Sequence, residues 1–156
     1  MTPIPTTVAD VMTRKIVTVS EEDGLEMIDS GMHRMRFRHL PVVDRLGKLV
    51  GLLSHGDLLH AVSSSLSEKE AERNALILQQ PVRRIMQREV VTVQANDSLI
   101  QAGKLLWEAK IGCLPVVDAE GALVGMLTKS DFVRVALQLL GSELKRDDVE
   151  QLARAI

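Results

Sequence analysis

The pentapeptide LPVVD stands at residues 40–44 of this chain and returns unchanged at residues 114–118. From Pro41 to Pro115 the separation is 74 residues, and the same separation relates matching residues over about fifty positions without a gap. The other matches are Met12 and Met86, VTV at 17–19 and at 91–93, Asp23 and Asp97, Gly47 and Gly121, Gly51 and Gly125, and Asp57 and Asp131. A register this constant indicates that one structural unit is written twice.

Working outward from LPVVD, each copy predicts a β-α-β-β-α unit, so the fold class is α/β (α+β). LPVVD is apolar throughout, which is typical of a strand buried on both faces. Before it, VTV predicts a short strand, and Asp23 and Asp97 are predicted to cap the next helix, with Glu26 completing a capping box. After it, a turn containing Gly47 or Gly121 leads to LVGLL or LVGML, whose inner glycine indicates a bulge or a close backbone approach. The last helices are predicted at Asp57–Ser63 and Asp131–Leu140.

The two copies are expected to pack together with pseudo-twofold symmetry as one module. Each has only three short strands and one apolar helix face, which it cannot bury alone. The apolar helix faces comprise Leu25, Ile28, Met32 and Met35 in the first copy and Leu99, Ala102, Leu106 and Ala109 in the second. The predicted organisation is a first repeat at 7–62, a linker at 63–80 with a helix opening at Ser67, a second repeat at 81–140 and an amphipathic tail at 141–156.

Composition narrows the class of protein. Apolar residues make up 46% of the chain, which suits a folded core, and the net charge of −2 disfavours a nucleic-acid binder. No run approaches the roughly 20 apolar residues that a membrane span needs. The lone cysteine, Cys113, cannot form an intrachain disulfide, so we expect a cytoplasmic protein that does not associate with a membrane. The four histidines lie on different predicted elements, so no metal site is expected.

A short polar motif follows the third strand of each copy: Ser54-His55-Gly56-Asp57 and Thr128-Lys129-Ser130-Asp131. Its spacing fits a capping box, which needs no ligand. The same geometry also fits a phosphate site, because a helix start presents unpaired amides and a positive dipole end. Under this second interpretation the motif's aspartate accepts hydrogen bonds from ribose hydroxyls, while His55 and Lys129 neutralise phosphate charge.

HLPVVD…GKLVGLLSHGD and CLPVVD…GALVGMLTKSD resemble the cystathionine-β-synthase (CBS) domain as a tandem pair, of the stand-alone prokaryotic type. DVMT at 10–13 and RRIM at 83–86 resemble the lead-ins of that family. The resemblance implies two clefts between the repeats, an adenosyl ligand (AMP, ADP, ATP or S-adenosylmethionine) with a regulatory role, and a homodimer. It further implies that Asp57 and Asp131 hold ribose and that Ser54 and Thr128 contact phosphate or ribose. The base pocket would be lined by Val17, Val91, Arg38, His39, Leu40, Pro41, Gly112, Cys113, Leu114 and Pro115.

The two clefts are expected to bind with unequal affinity. The second copy has Thr128-Lys129-Ser130-Asp131, which is close to the form that the family prefers, where the first has Ser54 and Gly56, a weaker hydroxyl and a looser helix start. Against that, the first copy has Arg38 and His39 where the second has Gly112 and Cys113. Sequence leaves open which cleft is tighter, because phosphates can be met by residues of the opposite repeat. The effector is expected to be a separate chain or another copy, and no catalytic residue or catalytic cofactor is predicted.

Three alternatives compete with the nucleotide-responsive module. The first is a ligand-free dimerisation scaffold in which the two motifs act only as helix caps. The second is a nucleic-acid binder that uses Arg34, Arg36 and Arg38, with an affinity that falls steeply with salt. The third is an enzyme, which is disfavoured because no base is paired with a nucleophile and Cys113 has no predicted partner.

Overall fold

The structure, a computed structural model, describes residues 4–62 and 67–141. The predicted amphipathic tail, from 142 onward, lies outside the described residues. The ten main elements are β1 (Val19–Ser20), α1 (Leu25–Met35), β2 (His39–Val43), β3 (Leu49–Ser54), α2 (His55–Ala61), α3 (Glu68–Leu78), α4 (Leu99–Glu108), β4 (Cys113–Val117), β5 (Leu123–Thr128) and α5 (Lys129–Leu139). Short 3₁₀ turns lie at Val8–Asp10 and Val82–Arg84. None of the described helices is long and apolar enough to cross a bilayer.

The predicted β-α-β-β-α order is confirmed, although the first strand of each copy is shorter than VTV suggests. β1 pairs in parallel with β2, and β2 pairs antiparallel with β3. In the second copy β4 and β5 pair antiparallel, and the predicted strand at 91–93 is reduced to one parallel bridge between Val93 and Val116. The carboxylates of Asp23 and Asp97 accept hydrogen bonds from the amides of Ser20 and Gln94. At both places the backbone therefore turns instead of continuing the strand.

Those two aspartates are therefore not helix caps, and that prediction was wrong. The N-cap residues are Gly24 and Ser98, one position later, and a glycine N-cap offers no side chain for a capping box with Glu26. Ser98 accepts a hydrogen bond from the Gln101 amide in the usual way. The linker helix does begin after Ser67, as predicted.

The final helices begin two residues earlier than predicted, at His55 and Lys129. Ser54 and Thr128 are the N-caps, and Asp57 and Asp131 are the third helical residues that close the capping boxes. The capping prediction for both motifs is thereby confirmed, and it fixes a polar helix start at the end of β3 and of β5.

The segments that open each repeat, residues 7–13 and 81–87, are exchanged between the repeats; we call them the lead-in segments. The amide of Val8 donates to the Asp97 carbonyl, and the amide of Val82 donates to the Asp23 carbonyl. Each lead-in accordingly joins the core of the opposite repeat. The first core comprises Leu25, Ile28, Met32, Leu40, Val42, Leu53, Leu58, Val82 and Met86, and the second comprises Val8, Val11, Met12, Val93, Leu99, Ala102, Leu106, Leu114, Val116 and Leu127.

The inner glycines of β3 and β5 make this exchange possible, because each lies at a close approach of the kind that the sequence predicted. A Cβ on Gly51 would stand 2.7 Å from the Met86 sulfur, and one on Gly125 would stand 2.5 Å from the Met12 sulfur. Antiparallel bridges from the adjacent residues Leu52 and Met126 then tie the lead-ins to these strands. The two repeats are therefore interlocked, and the space between them becomes a pair of clefts.

Candidate functional site

The larger opening, which we call the first cleft, has a volume of about 600 Å³ and lies between the two repeats. One wall is the loop after α1 together with the start of β2, and the facing wall is the start of α5. The floor is the chain that follows the first lead-in. Its lining residues are Thr13, Lys15, Ile16, Val17, Arg36, Phe37, Arg38, His39, Leu40, Pro41, Gly112, Met126, Thr128, Lys129, Ser130 and Asp131.

Asp131 is the buried acid of this cleft, with 5% of its surface exposed. One carboxylate oxygen accepts hydrogen bonds from the amide and the hydroxyl of Thr128, at 2.8 and 2.9 Å. The other accepts from the Arg134 guanidinium at 2.8 Å, and Arg134 also donates to the Val11 carbonyl of the first lead-in. A carboxylate has about four acceptor positions, so this oxygen retains capacity for a further donor. Asp131 thus caps α5, lines the cleft and binds the arginine that contacts the exchanged lead-in.

Cations dominate the rest of the first cleft. Lys15, Arg36, Arg38 and Lys129 line it, and none of them forms an ion pair with a carboxylate among the residues that the structure describes. The only acid in the lining is Asp131, whose charge is already matched by Arg134. The cleft therefore presents a positive field to an anion entering it.

The smaller opening, the second cleft, has a volume of about 360 Å³. It occupies the pseudo-symmetric position, between the end of β3 and the loop after α4. Two charged residues line it, Glu89 and Lys110, and their charges are opposite. The lining residues are His39, Leu52, Ser54, Gln87, Glu89, Val90, Val91, Lys110, Ile111, Gly112 and Cys113.

Asp57 stands behind the wall of the second cleft. Its carboxylate accepts from the amide and hydroxyl of Ser54, at 2.7 and 2.6 Å, and from the Gln87 side-chain amide at 3.1 Å. Ser54 and Gln87 line the cleft, whereas Asp57 does not. The equivalent acids of the two repeats therefore differ in access, although both close a capping box.

His39 separates the two clefts and lines both, as does Gly112. A Cβ on Gly112 would stand 2.6 Å from the His39 ring, so the ring lies directly on the glycine. Burial lowers the pKa of His39 below its ordinary value, the Asp57 carboxylate opposes that shift in part, and Arg38 adds to it. His39 is consequently neutral at pH 7 and serves as a shared wall.

Cys113 lies at the back of the second cleft and is buried. Burial raises the pKa of its thiol to about 12, so the reactive thiolate is scarce at neutral pH. Among the described residues, no group of three or more His, Cys, Asp or Glu side chains is placed to hold a metal ion.

Most of the residues predicted from sequence line one cleft or the other, in crossed combinations. Val17 and the Arg38–Pro41 segment of the first repeat share the first cleft with Thr128, Lys129 and Asp131 of the second repeat. Ser54 of the first repeat shares the second cleft with Val91, Gly112 and Cys113 of the second. Four predicted residues line neither cavity: His55, whose ring lies edge-on to His33 at 5.3 Å, Asp57, and the strand residues Leu114 and Pro115.

Several lining residues were missed by sequence reasoning. Lys15 and its equivalent Glu89 follow the lead-ins, and only the exchange of those segments brings them to a cleft. Arg36 was considered only as a nucleic-acid contact, and Lys110 was not considered at all. Both have a positive φ, 56° and 55°, a backbone shape uncommon for a residue with a side chain. The other missed residues are Thr13, Ile16, Phe37, Met126 and Ser130 in the first cleft and Leu52, Gln87, Val90 and Ile111 in the second.

Two interlocked α/β repeats with a cleft on either side of their contact define a tandem-repeat module with inter-repeat cavities. The CBS domain family model matches this chain twice, at residues 8–64 and 82–138. A CBS domain-containing protein of Dictyostelium discoideum is 30% identical over 134 residues, which are 85% of this chain and 92% of that protein. The chain therefore belongs to the CBS domain family and is a tandem CBS pair, as the resemblance predicted.

Solved structures agree with this assignment. The structure of CBSX2 of Arabidopsis thaliana in complex with AMP has a TM-score of 0.73 and 31% identity, and covers 86% of this chain and 98% of its own. The CBS domain pair of the protein MJ0100, in complex with 5′-methylthioadenosine and S-adenosyl-L-methionine, has a TM-score of 0.70 and 25% identity, with coverage of 85% and 96%.

Some relatives carry the pair as part of a longer protein. A homoserine O-acetyltransferase of Methanococcoides burtonii is 32% identical over 130 residues, which are 83% of this chain but 24% of that enzyme. The similarity is confined to about a quarter of its length.

Proposed function

We propose that this chain is a regulatory module that binds an adenosyl ligand in the clefts between its repeats. The observation that carries the proposal is the composition of the first cleft. There the start of α5, with its buried Asp131, faces the cation-bearing Arg36–Pro41 segment of the other repeat. Such a cleft offers an acceptor for ribose and donors for phosphate, and Ile16, Val17 and Leu40 offer an apolar surface for a base.

Relatives support the chemical class of the ligand. A similar CBS pair is complexed with AMP and another with 5′-methylthioadenosine and S-adenosyl-L-methionine. A ligand in the first cleft would touch both repeats at once and stabilise one arrangement of them. It can shift their packing only by as much as its affinity differs between the arrangements.

We propose that the chain itself is not an enzyme and that its ligand acts as a signal. The buried, protonated Cys113 is a poor nucleophile, which supports this view. A homodimer, a separate effector protein and a cytoplasmic location belong to the same proposal.

The direct test is titration calorimetry and thermal unfolding with AMP, ATP and S-adenosylmethionine. We expect at least one of them to release heat and to raise Tm. The absence of any response at millimolar concentrations of all three would refute the proposed function.

A matched pair of variants separates ligand binding from helix capping. Asp131→Ala and Asp57→Ala each remove a capping carboxylate, so each should lower the free energy of unfolding by about 1 kcal/mol. Only Asp131 lines a cleft, so Asp131→Ala should also weaken binding of ATP by about tenfold or more. If both variants lose stability and neither loses affinity, the motifs act as caps alone, as in the ligand-free scaffold.

A further inference from the structure

The internal duplication allows the two clefts to be compared position by position. Thr128 and Asp131 on one side match Ser54 and Asp57 on the other, and both sets close a capping box. The two helices differ in length, since α5 has 11 residues and α2 has 7. The first cleft thus lies at the start of the longer of these two helices, and the second cleft lies at the start of the shorter.

The charged positions of the two clefts differ far more than the caps do. Lys15 of the first cleft is matched by Glu89 in the second, which is a reversal of charge. Arg38 is matched by Gly112, which is a loss of charge. Arg36 and Lys110 are matched cations, so this pair does not distinguish the clefts.

Lys129 adds a further difference. It lines the first cleft, whereas its equivalent His55 does not line the second and packs its ring against His33. The first cleft therefore holds four cations that lack an ion-pair partner among the described residues. The second holds one lysine and one glutamate beside the neutral His39.

We propose that the first cleft takes an adenosyl ligand bearing a di- or triphosphate chain, and that the second takes an adenosyl ligand without a polyphosphate. The division rests on the proposed function and adds the ligand class of each cleft. A polyphosphate carries several negative charges in a short chain, which matches the four cations of the first cleft. In the second cleft Glu89 repels such a chain. The volumes follow the same order, about 600 Å³ against about 360 Å³.

Reciprocal charge exchange at one pair of equivalent positions tests this division. Lys15→Glu gives the first cleft the residue of the second, and Glu89→Lys does the reverse. Both wild-type side chains are exposed, so neither change disturbs a core. ATP, adenosine, 5′-methylthioadenosine and inorganic tripolyphosphate are titrated into the full chain by calorimetry.

In the unaltered protein we expect one strong ATP site, with ATP binding at least about tenfold tighter than adenosine. Lys15→Glu should weaken ATP binding by about a hundredfold while leaving the affinity for 5′-methylthioadenosine within about threefold. Glu89→Lys should raise the ATP stoichiometry from one toward two. Lys104→Glu, the same charge reversal at an exposed lysine of α4 that lines neither cleft, is the control that leaves ATP affinity unchanged.

Several results would overturn the division while leaving the proposed function intact. They are equal affinity for ATP and adenosine, loss of ATP binding in Lys104→Glu to the same extent as in Lys15→Glu, and tripolyphosphate binding as tightly as ATP while adenosine still binds. If none of the adenosyl compounds binds, the proposed function itself fails. The two failures are thereby distinguished in one set of titrations.

Discussion

Gly112 and His39 show how a residue-level pattern acquires its meaning in three dimensions. In sequence, Gly112 is simply the place where the second copy lacks the cation found at Arg38. In the structure a side chain there would collide with the His39 ring, 2.6 Å from the added Cβ. The histidine of one repeat therefore requires the glycine of the other, and the loss of charge in the second cleft follows from packing.

The lowered pKa of His39 predicts a pH effect on stability. Burial disfavours protonation in the folded state, so between the ordinary value of 6.5 and the lower folded value the unfolded chain binds more protons. The contribution of His39 therefore makes the folded protein less stable as the pH falls below 6.5, until the folded pKa is passed. Urea unfolding from pH 7.5 to 4.5 should show a smaller decline in His39→Gln than in the unaltered protein. Identical slopes would contradict the assignment.

At the scale of elements, the exchanged lead-ins determine which repeat a residue stabilises. Val8 belongs to the first repeat in sequence but is fully buried in the second core, and Val82 shows the converse. The amide bonds from Val8 to Asp97 and from Val82 to Asp23 hold the exchange in place. Stability in this protein is consequently not divided along the sequence repeats.

Val8→Ala and Val82→Ala form a crossed pair that measures this exchange. Each removes two methyl groups from a tightly packed core, which leaves a cavity, and should lower the free energy of unfolding by about 2 kcal/mol. In hydrogen exchange, Val8→Ala should reduce protection chiefly in α4, β4 and β5, and Val82→Ala chiefly in α1, β2 and β3. If Val8→Ala instead loosens the first repeat and Val82→Ala the second, the lead-ins are not exchanged in solution.

At the scale of the whole molecule, α4 and α5 leave apolar side chains exposed. Trp107 is 81% exposed and stands beside a shallow apolar cavity that Phe132 also lines. Ile100 and Val133 are exposed on the same two helices. Exposed apolar side chains of this kind suit contact with another chain, which supports the proposed homodimer.

The proposed dimer predicts a difference between two exposed apolar residues. Trp107→Glu should weaken self-association by at least about tenfold, because it places an unpaired charge in the contact. Leu46→Glu is the matched control, since Leu46 is 79% exposed but lies in the turn between β2 and β3. Native mass spectrometry and sedimentation equilibrium measure both variants against the unaltered chain. A monomeric unaltered chain, or equal dissociation by both variants, would refute this interface.

Local patterns in the sequence were enough to determine the duplication, the order of elements and the capped starts of α2 and α5. Each depends on residues that are close in the chain: three-residue capping spacings, helical periodicity, and turns in which Gly47 and Gly121 adopt a positive φ. The same local reasoning placed the N-caps at Asp23 and Asp97, where a turn of nearly equal spacing competes for the same side chain.

Tertiary structure alone decided which segments share a cleft. Since both copies have the same register, a lead-in fits the groove beside Gly51 or Gly125 equally well by pattern, and sequence cannot distinguish the two pairings. The observed exchange brings Lys15 and Arg38 of one repeat to Lys129 of the other, which sets the charge of the first cleft. Burial and electrostatic fields depend on distances in space, and those distances exist only once both repeats have folded against each other.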